Sequence, residues 1–337
     1  MTETVEQPTT TDVPALDAVC LCQSYLRATE HAALKSARWL GRADQDGAEE
    51  SAAEGMRQSL EMLAVRGRVV IGALGEHAGL APGEVVGGGD VEVDLALDPL
   101  EGRGVVARGG NGAMSMIAVG EAGKLQTLPD MYMRKLAVGP LARGHIDLLR
   151  PVGENVQAIA DAFGRRVNDV TTIVLDRPRH HDLIEEIRNS GARIKLIQDG
   201  DVTASISAAI RGTNDHLAIG IGGTRQAVLS AAALRCLGGE LQAQFWPTSR
   251  TEIEELRALG IDDYSRIFTT DDLAPGEIIV AATGVSNGDL LRGVRFLADS
   301  ARTHSLLMCT RCNWVRFVDG IHFFARERRE EVRLLGY

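Results

Sequence analysis

The stretch Val93–Val106, VDLALDPLEGRGVV, decides the reading of this chain. Apolar residues alternating through Val93, Leu95 and Leu97 describe a strand, and the Pro and Gly that follow end it. Asp98 and Glu101 therefore sit on a turn at a strand end, where paired carboxylates can hold a hard divalent cation beside a phosphate. Arg103 then places a fixed positive charge at the same turn, which a simple cation site does not need.

Working outward, the periodicity predicts helices from about Leu16 to Leu40, ended by Gly41, and from about Gly47 to Arg66. GRADQD, carrying Asp44 and Asp46, is the loop between them. GRVVIG reads as a short buried strand, the Gly- and Pro-rich segment from Ala73 to Asp90 as a loop, and AMSMIAVGEAG as a further strand. Beyond Pro151 strands and helices alternate: a helix over Val152–Phe163, TTIVLD, a helix over His181–Asn189 stopped by Gly191, ARIKLIQD, HLAIGIGG and an Ala-rich helix. Such alternation predicts a layered α/β fold with ligands beyond the carboxyl ends of strands. The division expected is a flexible leader over 1–14, an N-terminal α/β subdomain over 15–150 and a C-terminal α/β subdomain over 151–337.

With 337 residues, 45% hydrophobic and 24% charged, the chain is long enough for two packed globular units. Its net charge of −10 argues against nucleic acid as a partner while leaving room for a small anion pocket. No apolar run approaches the roughly 20 residues of a membrane span, and the N-terminus lacks the pattern of a signal peptide, so a cytoplasmic protein is expected. The five cysteines are an odd set spread over a long chain and read as free thiols. Cys309-Thr-Arg-Cys312 has a spacing seen in zinc and redox sites. Cys20 and Cys22, however, read as helical and about 200° apart, which is awkward for completing a tetrahedral site.

DPLEG, PDMYMRKLAVGP (129–140), DRPRHHDLIEEIRNSGARIKLIQDGDV (176–202), IGIGGT (219–224) and ATGVSNGDLLRGVRF (282–296) agree in order and spacing with one family. Over about Leu16 to Met308 the chain resembles the bacterial class II fructose-1,6-bisphosphatases. The resemblance implies the sugar-phosphatase fold of stacked helix and sheet layers. It further implies hydrolysis of the 1-phosphate of fructose 1,6-bisphosphate with Mg or Mn, a place in gluconeogenesis, and a homo-oligomer. Carried over by motif, Asp44, Asp98 and Glu101 are metal ligands, and the acidic stretch after VVIG is shortened, either lost or displaced onto Glu76. Tyr132, Lys135, Arg177, Arg179, His180, Asp199 and Asp201 match positions that contact the sugar phosphate.

Three positions depart from the family. Gln226 stands where a ligand Glu is expected, Asn287 where Asp is usual, and Arg103 where a catalytic Thr positions the attacking water. Losing two carboxylates and gaining one guanidinium shifts the local charge by about +3, close to what a divalent ion supplies. A guanidinium forks onto phosphate but does not lower the pKa of water. Arg103 is thus expected either as a phosphate ligand or as a structural partner of Asp98 and Glu101. Three activities stay open. One is sugar (bis)phosphate hydrolysis at a reduced metal site using Asp98, Glu101 and Arg103. Another is a metal-independent enzyme in which Tyr132, Asp199 or His180 moves protons. The third is a non-catalytic sugar-phosphate binder or regulator.

Overall fold

In a computed structural model, residues 20–72 and 80–324 are described; the leader and Glu76 lie outside them. The chain begins with helix α1 (Cys22–Ser36), a 3-10 turn (Ala37–Trp39) and α2 (Gln45–Leu60). Strands β1 (Val65–Ile71), β2 (Val85–Val86) and β3 (Val91–Glu101), helix α3 (Arg103–Arg108) and strand β4 (Met114–Glu121) follow. Next come β5 (Tyr132–Val138), α4 (Val152–Ala162), β6 (Thr171–Leu175), α5 (His181–Ser190) and β7 (Arg193–Ile197). After these are α6 (Asp201–Ala209), β8 (Leu217–Gly223), α7 (Thr224–Leu237), β9 (Glu240–Phe245) and α8 (Arg250–Ala258). The last elements are β10 (Phe268–Thr269), α9 (Thr270–Leu273), β11 (Ile278–Gly284), β12 (Arg295–Phe296), β13 (Ser300–Cys309) and β14 (Trp314–Phe323).

Two sheets form. One runs β12-β13-β11-β4-β3-β1-β2 with β14 added on β13; the other runs β10-β9-β5-β8-β6-β7. Alternate side chains of β3 enter different cores: Leu95 and Leu97 pack with α1 and α2, while Ala96 faces α6 and α7. The buried face of α6 and α7 meets both sheets, and α4 and α5 cover the outer face of the second sheet. The result is five layers, helix–sheet–helix–sheet–helix, which is the stacked α/β architecture expected. The Ala-rich sequence of α7 has its reason here. A helix enclosed by two sheets needs small side chains on more than one face, and Ala227, Ala231, Ala232 and Ala233 are all fully buried.

Several boundaries differ from the expectation. Helix α2 stops at Leu60 because Val65 onward pairs in parallel with β3, and that pairing overrides local helical periodicity. Helix α1 begins only at Cys22, which leaves Cys20 off the helix, so the angle argued between the two cysteines does not apply. Strands β5 and β9 give no alternation to read, because both are flanked by strands and largely buried on their two faces. The sheets do not divide at residue 150: β5 already belongs to the second sheet, and β11 to β14 return to the first. Among the described residues no helix is long and apolar enough to cross a membrane.

Candidate active site

The end of β3 builds the centre of the site. Asp98 lies opposite Met116 and Glu101 opposite Met114, so three steps on β3 match two on β4 and the chain bulges at Pro99 and Leu100. Proline suits that bulge because it has no N–H to leave unpaired. Gly102 then takes the left-handed conformation (φ 89°), and α3 starts at Arg103. The bulge and the turn together bring Asp98, Glu101 and Arg103 to one cleft.

Glu101 joins the layers. Its Oε1 accepts from the Val202 N–H at 2.7 Å, and its Oε2 accepts from the Thr203 hydroxyl at 2.7 Å and the Thr203 N–H at 3.3 Å. These are orphan donors of the first turn of α6, where negative charge is favoured. Gly200, left-handed at φ 93°, lets the chain turn between Asp199 and Asp201. Asp201 is ion-paired with the buried Lys135 ammonium, which also lies 3.4 Å from the Gly223 carbonyl. A methyl group on Gly222 would fall 2.0 Å from Asp201 Oδ2, so any larger residue there displaces this pair.

A cleft of about 290 Å³ opens over these groups, lined by Glu49, Asp98, Glu101, Asp199 and Asp201 and by Arg103, Arg177, Arg179 and Arg225. That volume suits a small ligand. Each arginine is fixed by a protein oxygen. Arg103 Nη1 reaches Glu49 Oε2 at 2.8 Å and Asp46 Oδ1 at 3.6 Å. Arg177 donates to the carbonyls of Gln198 (2.5 Å) and Asp176 (3.1 Å). Arg179 donates to the Ile221 carbonyl (2.9 Å) and lies over the Tyr132 ring, 4.9 Å from its centroid. Arg225 donates to the Gly72 carbonyl at 2.5 Å.

The structure gathers Asp98, Glu101, Arg103, Tyr132, Arg177, Arg179, Asp199, Asp201 and Gln226 around one cleft. It places three expected residues elsewhere. Asp44 caps α2, its Oδ1 accepting from the Gly47 N–H at 2.9 Å, which leaves it a helix cap and no lining residue. Lys135 is held beneath the cleft by Asp201. His180 is fully buried, with Nδ1 2.7 Å from the Leu175 carbonyl and Nε2 accepting from the Ile221 N–H at 2.8 Å. Both ring nitrogens are thus occupied in tying β6 to β8, and burial holds its pKa below the usual imidazole range. It acts as a brace between the two strands. Arg103 is also partnered differently than expected: its carboxylate is Glu49, not Asp98 or Glu101.

Glu49 and Arg225 are the lining residues the sequence reading missed. Glu49 is buried in the first turns of α2, and a carboxylate buried on a helix face is itself a sign of a partner. Arg225 directly follows the GGT turn, where its charge was visible but its direction was not.

Burial pushes Asp98 up to about 6, with the charge of Glu49 adding to it and Arg225 opposing it. Burial and then the charge of Asp98 push Glu101 up to about 8, against the donors of Val202 and Thr203. Burial likewise raises Asp199. Asp98, and Glu101 through the lone pairs its donors on α6 leave free, offer oxygens to at most one hard divalent ion, whose charge would relieve the repulsion between the two carboxylates. They do not fit the fuller set that the resemblance implies. Glu49 is paired with Arg103, Asp44 does not line the cleft, and Gln226 brings a neutral amide 3.5 Å from Asp98. Among the described residues, the cysteine, histidine and carboxylate groups close enough to share an ion as three or more lie outside this cleft.

Comparison with known proteins points to one family. Residues 20–322 match the family model described as bacterial fructose-1,6-bisphosphatase, glpX-encoded. A protein of Synechococcus sp. (strain JA-3-3Ab), named D-fructose 1,6-bisphosphatase class 2/sedoheptulose 1,7-bisphosphatase, is 42% identical over 88% of this chain and 94% of its own. One of the same name from Microcystis aeruginosa is 38% identical over 91% of this chain and 97% of its own.

Proposed function

Because the chain belongs to the glpX-encoded bacterial fructose-1,6-bisphosphatase family, we propose that it binds a ketose bisphosphate and hydrolyses one phosphate at a reduced, single-ion site. The observation that carries this reading is the cleft in which Asp98 and Glu101 face Arg177, Arg179 and Arg225. Arg179, stacked on Tyr132, and Arg177 are preorganised by carbonyls and offer their remaining N–H groups to phosphate oxygens. Asp98 and Glu101 would hold one Mg or Mn ion, which when bound supplies positive charge against the phosphoryl group and its leaving oxygen. Arg103 adds fixed charge but, being permanently protonated, cannot accept a proton from the attacking water. Turnover well below that of a member with threonine there is the consequence.

The Arg103–Glu49 pair specifically favours a second reading, in which the chain binds sugar bisphosphate without turnover. Phosphate release from fructose 1,6-bisphosphate and sedoheptulose 1,7-bisphosphate, with Mn, with Mg and with neither added, separates the two. Metal-dependent release that increases in Arg103→Thr/Gln226→Glu supports hydrolysis. Calorimetric binding with no release in either protein selects the binder, and neither binding nor release sinks both.

A further inference from the structure

We propose that Cys20, Cys22, Cys309 and Cys312 form a structural tetrathiolate zinc site that fastens the start of α1 to the β13–β14 turn. The four sulfurs lie within 4.8 Å of one another. Cys20 Sγ and Cys309 Sγ are 3.8 Å apart. A tetrahedron with zinc–sulfur bonds of about 2.3 Å has edges of about 3.8 Å, so the spacing is that of ligands about a central ion and much longer than a disulfide bond.

The local chain geometry comes from two directions. Cys309 ends β13 and pairs in register with Trp314, the first residue of β14, so Cys312 sits in the four-residue turn between them. Asn313 takes a positive φ of 49° there, closing the turn, and the Cys312 N–H points at Cys309 Sγ at 3.4 Å. A backbone donor aimed at sulfur favours the thiolate over the thiol. Cys20 precedes α1 and Cys22 is its first residue, with Leu21 (φ −73°, ψ 6°) turning the chain between them, and both sulfurs meet the pair at the end of β13.

The surroundings choose the ion. Cys22 and Cys309 are 1% and 2% exposed, and the core around α1 packs against Cys20, Cys312 and Trp314. Among the described residues no carboxylate or histidine joins the group. An all-sulfur set within apolar side chains selects a soft or borderline ion such as zinc over Mg or Mn. Binding replaces four S–H protons, released to solvent, with four zinc–sulfur bonds, leaving a complex of net charge −2. Cys236, partly buried against the Ile278 carbonyl, takes no part.

Cys20 and Cys309 are 289 residues apart. An ion there closes a long loop and holds α1, and with it the α2 helix that presents Glu49, against the first sheet. This is separate from the phosphate cleft and from any Mg or Mn held there.

The test is metal content of the full chain, purified reduced and without chelator. About one zinc per chain is expected, released stoichiometrically when an organomercurial titrates the thiols. Cys309→Ser/Cys312→Ser should lose it, and Cys236→Ser should keep it. Cobalt loading of the wild type should give the intense bands of tetrahedral thiolate coordination. If the double variant does not fold, Cys20→Ser is used in competition with a chromophoric chelator and should bind zinc at least about tenfold more weakly. Wild-type protein that holds no zinc after reduction and equimolar supply overturns the proposal. So does full zinc retention by the folded double or single variant, or a Cys309–Cys312 disulfide found by mass spectrometry in freshly purified protein.

Discussion

Arg103 Nη1 lies 2.8 Å from Glu49 Oε2, joining the first residue of α3 to the first turns of α2 across the mouth of the cleft. The Arg103 side chain is 42% exposed and that of Glu49 is 11% exposed, so the pair is solvated on the arginine side. Its attraction is therefore screened, and the guanidinium keeps donors free for a ligand.

Arg103→Ala should cost only about 1 kcal/mol of stability, since water can reach Glu49 once the side chain is gone. Affinity for fructose 1,6-bisphosphate should weaken by about 1–3 kcal/mol, the scale of a hydrogen bond to a charged group. Chemical denaturation and titration calorimetry on the same preparation give both numbers. Lost stability with unchanged affinity would mean that the arginine serves only Glu49.

Glu101 sets a pH dependence. Its carboxyl is raised to about 8 in the fold from 4.5, so the folded protein retains a proton that the unfolded chain releases. The associated stability is complete below the unfolded value and disappears as pH rises through the folded one. Glu101→Gln removes that titration without removing bulk. With no Mg or Mn added, the variant should gain on the wild type by a few kcal/mol between about pH 6 and 9. Comparing the two proteins cancels the buried histidines, which titrate in both. A constant difference across that range would contradict the assignment.

Two glycines should respond oppositely to alanine. At Gly222 the new methyl meets Asp201 Oδ2 at 2.0 Å and Lys135 Nζ at 2.7 Å, so the ion pair must shift to make room, and a loss of about 1–3 kcal/mol is expected. At Gly153, on α4, the nearest atom is Ser190 Cβ at 3.6 Å, and alanine should stabilise by up to about 1 kcal/mol through helix propensity. Melting curves of the two variants check the contrast, and equal effects would discount the packing described around Lys135.

His180→Ala strands the Ile221 N–H, where a lost partner costs about 1–3 kcal/mol, while the Leu175 carbonyl keeps the Arg177 N–H at 2.9 Å. A fall in melting temperature is expected, with sugar-phosphate affinity of the folded fraction retained. Affinity lost in a variant of undiminished stability would return the histidine to the ligand.

The sequence by itself determined what rests on local order: Asp98 and Glu101 at a strand end before Gly102, the helix ended by Gly191, the long motifs that place the family, and the layered α/β class. These follow from period, turn chemistry and spacing, which act over a few residues. Only the tertiary structure decided which charges meet. Glu49 and Arg103 are 54 residues apart and share no periodic signal, yet the packing of α2 against α3 makes them a pair. Asp44 and His180 carry residue types suited to a site, but a backbone N–H claims the first and two strands claim the second. The four cysteines read as scattered thiols because their meeting depends on β14 returning beside β13 under α1. Side-chain chemistry is written in the chain, whereas the partner that uses it is set by long-range packing, which no local pattern encodes.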